Sequence, residues 1–151
     1  MCALCWHNTG RGCGIVMMLT DTLQMHTIGG ALYVYVDIWN SNEQDFSTAL
    51  LTFDTGATVT TISSTVIDAL GYDISNGKKQ IITTDSGVAI VQEITVDKLK
   101  IGTSHTLDDV KVYVHDFPDE SFTIGVIGFN VLSQFDMMLS FSSKLINFVK
   151  Y

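Results

Sequence analysis

The chain has 151 residues, 46% of them hydrophobic and 16% charged, with one proline, and sixteen acidic against eight basic residues give a net charge of −8. That composition suits one compact domain and excludes an extended disordered chain, while the negative charge would repel a nucleic-acid backbone and excludes that class of partner. The early apolar run Ile15 to Leu19 falls far short of the roughly 20 residues a spanning helix requires, so no membrane partner is expected.

Residues 1–25 differ in character from the rest and are expected to form a leader or flexible extension, with a single domain over 26–151. Cys2, Cys5, His7 and Cys13 are zinc-ligand types, but His7 stands too close to Cys5 for the paired loops of a zinc knuckle, so no metal and no cofactor are expected. Arg11 is the only basic residue ahead of the short apolar run, which makes a poor signal peptide. The 26–151 segment holds no cysteine and needs no oxidising compartment, so a cytoplasmic location is expected.

Ala31 to Trp39, rich in β-branched and aromatic residues, predicts a strand, and the polar run Asn40 to Asp45 predicts a hairpin loop. Tyr33, Tyr35 and Trp39 share one face of that strand and read as core or interface. Phe46 to Phe53 is the returning strand, Val59 to Ile62 another, and Thr65 to Leu70 a short helix capped by Ser63 or Ser64 and ended by Gly71. Lys78 to Thr84 and Val88 to Ile101 are two extended arms around the turn-forming Asp85-Ser86-Gly87. Leu107 to Phe117 is a further strand, and Met137 to Phe141 with Lys144 to Phe148 form a terminal hairpin. His105 and His115 read as ordinary strand residues, and Asp108, Asp109, Asp116, Asp119 and Glu120 as solvated turn charges rather than a cation site.

Chemistry concentrates at Leu50-Leu51-Thr52-Phe53-Asp54-Thr55-Gly56-Ala57, where an apolar strand runs straight into an aspartate, a small hydroxyl residue and a glycine. The strand anchors the loop and leaves Asp54 within reach of water; Thr55 can bond neighbouring backbone, and Gly56 permits unusual backbone angles and a close approach. Further on, Ile124 to Phe135 reads as an apolar strand, a glycine and a short amphipathic helix.

With Asp54-Thr55-Gly56-Ala57 followed by Val126-Ile127-Gly128 and Asn130-Val131-Leu132, the chain over about residues 28–151 resembles the retropepsin-like aspartic peptidases, single-domain relatives of the retroviral proteases. The resemblance implies an all-β fold: a closed acid-protease-like β-barrel with a flap hairpin and one or two short helices, working as a homodimer. It implies that Asp54 is catalytic, that Thr55 bonds across the twofold axis, that Gly56 offers its carbonyl to the substrate backbone and that Ala57 packs beside the loop. It implies substrate contacts from Thr58, from the flap residues Asp85, Ser86 and Gly87, and from Ile127. Thr58-Val59 replace the acidic residues that retroviral enzymes place after the alanine, and the flap lacks their glycine-rich tip, so retroviral substrate preferences do not transfer.

Asp85-Ser86-Gly87 is itself a permitted catalytic triplet, but only thirty-one positions separate it from Asp54, too few for a second lobe. One such aspartate per chain requires a second chain, because metal-free peptide hydrolysis needs one carboxylate to take a proton from water and another to supply one. Leu145 to Tyr151 is apolar enough to interleave with a partner's strands or to pair within its own subunit. The expected function is thus an aspartic endopeptidase cutting extended peptides between apolar residues; the alternative is a catalytically silent module that dimerises or binds peptide. Asp54 serves no evident structural need, and retaining a buried unpaired carboxylate would be costly, which favours the enzyme.

Overall fold

The computed structural model describes residues 20–84, 87–118 and 121–150. Strand β1 covers Asp21–Gln24, β2 His26–Ile28, β3 Ala31–Asn40 and β4 Asp45–Phe53. After the Asp54 loop come β5 (Thr61–Ile62), α1 (Ser64–Ala69), a single 3-10 turn at Ile74–Asn76, then β6 (Lys78–Thr84) and β7 (Gly87–Ile101). The chain continues through β8 (His105–Val114), β9 (Gly125–Ile127), α2 (Phe129–Leu132), β10 (Phe135–Ser140) and β11 (Leu145–Lys150).

The large sheet runs β2-β3-β4-β9-β5-β8-β7-β6, and a further β3–β7 pairing, Val36 opposite Ile101 and Ile38 opposite Leu99, closes it into a barrel. The expected all-β closed barrel with two short helices is the fold observed. Alternation explains its interior: Val34, Val36 and Ile38 of β3 point inward, joined by Leu51, Ile62, Val96, Leu99, Ile101, Val112 and Ile127, most of them wholly buried. Each such side chain contributes roughly 1.5–3 kcal/mol by leaving water. Ile67 of α1 and Val131 of α2 join the same core, each wholly buried. Tyr33 is buried, whereas Tyr35 stands half exposed against His26 and Trp39 packs edge-on to Phe46.

Beside the barrel lies a small sheet in the order β1-β11-β10. The terminal hairpin is therefore formed within one chain, and β11 is paired along both edges: Leu23 faces Ile146 on one side and Leu139 faces Ile146 on the other. Structured chain begins ahead of residue 26, because Asp21–Gln24 is a paired strand. A periodicity search misses it, since two turns of alternation, buried Asp21 and Leu23 against exposed Thr22 and Gln24, are too short to stand out. Asp21 fastens this strand to the β7–β8 turn by accepting the N–H groups of Thr103 at 2.7 Å and Ser104 at 2.8 Å. Gly102 in that turn has φ +64, and a Cβ there would lie 2.5 Å from the Asp21 carboxylate.

The remaining boundaries shift by a few residues. The strand expected over Val59 to Ile62 is reduced to Thr61–Ile62, because Thr58 and Thr60 on either side of Val59 are engaged by α2, and β8 ends at Val114 rather than near Pro118. Helix α1 starts at Ser64 without a side-chain bond from Ser63; Asp116 serves instead, accepting both the N–H and the hydroxyl of Ser64 at 2.8 Å. The arms β6 and β7 pair from Lys78–Glu93 out to Thr84–Gly87, a hairpin at the position expected for the flap.

Candidate active site

The Asp54 loop leaves the barrel between two strands that the same neighbour holds. Strand β9 runs parallel to β4, Phe53 beside Ile127, and antiparallel to β5, Thr61 beside Val126, so both ends of the loop are pinned to one short strand. The Asp54 N–H donates to the Ile127 carbonyl at 3.2 Å, extending that pairing by one residue. Upstream, the Thr52 hydroxyl meets that of Thr123, which donates to the Gly125 carbonyl at 2.7 Å and ties β4 to β9 a second time. Gly125 is obligatory here, since a Cβ would lie 2.7 Å from the Leu51 side chain and 2.8 Å from the Thr61 carbonyl.

Helix α2 clamps the far side of the loop. The N–H groups of Phe129 and Asn130 donate to the carbonyls of Ala57 at 2.7 Å and Thr58 at 3.1 Å, so the free donors of the helix start are spent on the loop. The Asn130 side-chain oxygen accepts the N–H of Thr60 at 2.8 Å and its hydroxyl at 3.0 Å, and its amide reaches the Lys111 carbonyl at 2.9 Å. Thr60, wholly buried, accepts in turn the Gly128 N–H at 3.0 Å. A Cβ on Gly128 would fall 2.6 Å from the Val59 carbonyl carbon, so this approach requires glycine. Neither Thr60 nor Asn130 was assigned a role in the sequence, although Asn130 lies within the downstream motif; a polar residue opening a short helix was the available signal.

Asp54 itself is exposed. Its Oδ1 accepts the Gly56 N–H at 2.8 Å and its carbonyl the Ala57 N–H at 3.3 Å, a turn that aims the carboxylate outward. The loop delivers the group to solvent, so the cost of keeping a buried, unpaired carboxylate does not arise here. Gly56 does not use the left-handed backbone region; its missing Cβ leaves room for Asp54 Oδ1, 3.2 Å from where that atom would stand. The Thr55 hydroxyl, expected to stiffen the turn, has no bond among the described residues, and Thr55 lies exposed.

A groove of about 420 Å³ separates this loop from the hairpin, lined by Ala57, Thr58, Val59 and Thr61 on one side and Ile81, Ile82 and Thr83 on the other, with Tyr113 as its floor. Among the described residues no charged side chain lines it. Ala57 and Thr58 both line it, whereas the Ile127 side chain, expected to touch substrate, is wholly buried in the core, since the alternation of β9 turns it inward, and Ile127 meets the loop through its carbonyl. Asp85 and Ser86 lie outside the described residues; Gly87 is exposed with φ +127. Tyr113 and the Ile81–Thr83 segment went unnoticed in the sequence, because only strand pairing brings them to the loop. Among the described residues no cluster of three or more His, Cys, Asp or Glu could hold a metal ion, and no helix is long and apolar enough to cross a membrane. Asp116 is occupied with Ser64; Asp119 and Glu120 lie outside the described residues.

A closed barrel that presents an Asp-Thr-Gly loop braced by a following glycine and short helix defines the aspartic-protease class. The chain belongs to the retropepsin-like aspartic proteases: residues 41–134 match the family described as "gag-polyprotein putative aspartyl protease". The fold is shared with the crystal structure of a retropepsin-like aspartic protease from Rickettsia conorii, at a TM-score of 0.63 and 17% identity over 89% of this chain and 96% of that one. No curated protein matches the chain.

Proposed function

We propose that the chain is an aspartic endopeptidase whose catalytic centre forms when two copies bring their Asp54 side chains together on a twofold axis. The observation that carries this reading is an exposed carboxylate on a loop braced from both sides, which no structural contact outside its own turn requires. Two carboxylates about 3 Å apart cannot both ionise cheaply, so they share one proton; aspartic proteases are the established example of this behaviour. The ionised member takes a proton from a water held between them, the water oxygen adds to the scissile carbonyl, and the protonated member donates to the carbonyl oxygen. In the breakdown of the tetrahedral adduct the carboxyl that took the water proton gives it to the leaving nitrogen, and the other carboxylate takes a proton back from the adduct's hydroxyl. The C–N bond breaks, and amine and acid leave with the dyad again holding one proton.

The other assignments follow from position. Thr55, whose hydroxyl has no bond among the described residues, bonds to the partner's loop across the axis. The Gly56 carbonyl receives the substrate backbone, Ala57 and Thr58 form one wall of the groove, and the hairpin that carries Asp85, Ser86 and Gly87 closes the other, excluding water when shut. A groove free of charge beside Val59, Ile81 and Ile82 favours extended peptides with apolar side chains near the cut. The peptidase unit then starts at the β1 strand, with residues 1–19 preceding it.

The test is cleavage of a mixed peptide library between pH 4 and 7. Cleavage that is lost in Asp54→Asn and blocked by a statine-type transition-state mimic supports the enzyme. Intact peptides throughout, with peptide still bound, would establish the silent binding module instead.

A further inference from the structure

The dyad reading requires a second copy, and the fold limits where that copy docks. Strand β11 is closed to it, because β1 and β10 already occupy both of its edges. Strand β10 is the end of its sheet, pairing with β11 alone among the described strands, and it leaves a six-residue edge of backbone donors and acceptors. Large apolar side chains surround that edge: Met138 is 64% exposed, Phe141 73%, Phe129 56% and Leu139 37%.

The exposed groups are continuous with the candidate site. Phe53, Thr55, Phe129, Leu132, Met137 and Leu139 line a cleft of about 310 Å³, so one end of the cleft is the residue next to Asp54 and the other is the β10 edge. We infer that two copies join by antiparallel pairing of their β10 edges, each covering the other's cleft and bringing the two Thr55 residues to the axis. This inference rests on the shared-dyad reading and supplies its surface.

Three observations favour a second copy over other occupants. A chain of charge −8 would attract a basic partner, yet among the described residues no charged side chain lines the cleft, and Asp136 stands on the opposite face of β10. Residues 1–19 join the fold at β1, two strands away across the sheet. An exposed strand edge invites open-ended pairing unless symmetry closes it, and a twofold does so. Such an axis, perpendicular to an antiparallel pair, must pass through a residue that faces its own copy, with Cα atoms about 4.5–5.5 Å apart, within disulfide range.

That requirement sets the experiment. In the full chain with Cys2, Cys5 and Cys13 replaced by serine, single cysteines are placed in turn at positions 136, 137, 138 and 139 and oxidised. One position should cross-link two chains strongly and its neighbours weakly. Leu139→Asp, at an exposed position that the monomer tolerates, should weaken dimerisation about 100-fold by sedimentation and lower cleavage in proportion. Raised salt should tighten the wild-type dimer by screening two chains of like charge. An absence of cross-links with a Leu139→Asp dimer as tight as wild type overturns the β10 surface and leaves the shared dyad intact. Cross-linking and a Leu139→Asp monomer without peptide cleavage by any form uphold the surface and overturn the peptidase. A wild-type monomer that cleaves overturns both.

Discussion

At Asp54 the chain separates chemistry from support. The carboxylate is held by its own turn, through the Gly56 N–H, so removing its charge leaves the fold almost untouched. Asp54→Asn should therefore unfold at a temperature close to wild type while cleavage falls by at least about 10²–10⁴-fold, the range general acid–base groups supply; a thermal melt and a peptide assay check both halves. Asn130 is the converse case. Its side chain satisfies two donors of Thr60 and the Lys111 carbonyl, and Asn130→Ala would leave the buried Thr60 donors unpaired. Removing one partner of a buried bond costs about 1–3 kcal/mol, so denaturant unfolding should show a loss on that order, accompanied by weaker cleavage as the loop loosens. Thr60→Val, which keeps the shape but leaves the buried Gly128 N–H without its acceptor, should cost a similar amount.

Among the elements, β1 depends on one ion. Burial works against a charge on Asp21, but the N–H groups of Thr22, Ser104 and Thr103 and the Thr103 hydroxyl outweigh it and hold the carboxyl below its ordinary value. A group whose folded value is depressed stabilises the fold above its unfolded value and loses that contribution as pH falls through the folded one. Wild type should thus be more stable than Asp21→Asn in urea unfolding at pH 7, by a margin on the order of 2 kcal/mol, and the gap should close as pH falls below about 3.9. Equal midpoints at pH 7 would show that β1 is held by its pairing with β11 alone. The α1 start behaves likewise: Ser64 bonds, hydroxyl and N–H together, keep Asp116 below the usual carboxylate range. Asp116→Ala should cost about 1 kcal/mol in urea unfolding, the typical loss of a helix-start acceptor.

For the molecule as a whole, the proposed dyad, with one carboxylate from each chain, would make activity a property of assembly. Activity per chain should fall on dilution along the same curve as the sedimentation shift from dimer to monomer, because dissociation removes half of each centre. The pH profile of kcat/KM should be bell-shaped, with both arms set by the pair rather than by either residue, since the proton is shared. At the acid end the Asp21 contribution is lost in the same direction, so loss of fold and loss of the ionised dyad member need separating by a circular-dichroism trace over the same range. A neutral loss of activity on the alkaline side alone, with no acid arm, would point to a single titrating group.

The sequence alone determined the class of this protein. The Leu50–Ala57 and Val126–Leu132 stretches are local patterns in which each residue type has a chemical task, and strand alternation is likewise local, so loop, barrel strands and hairpin were legible residue by residue. What it left open were properties of pairing between distant segments. Whether the last strand stays in its own chain was undecidable until β1 and β10 were seen to occupy both of its edges. Ile127 could be read as facing the substrate or the core, because one residue of register inverts a strand's faces. Tyr113 and Thr60 carry no local mark of their roles, and Asn130 only that of a polar residue opening a short helix; β8, the loop and α2 acquire them when the barrel closes and sets them against one another. Short-range periodicity is written along the chain, whereas contact between residues seventy positions apart depends on the energy of the packed whole.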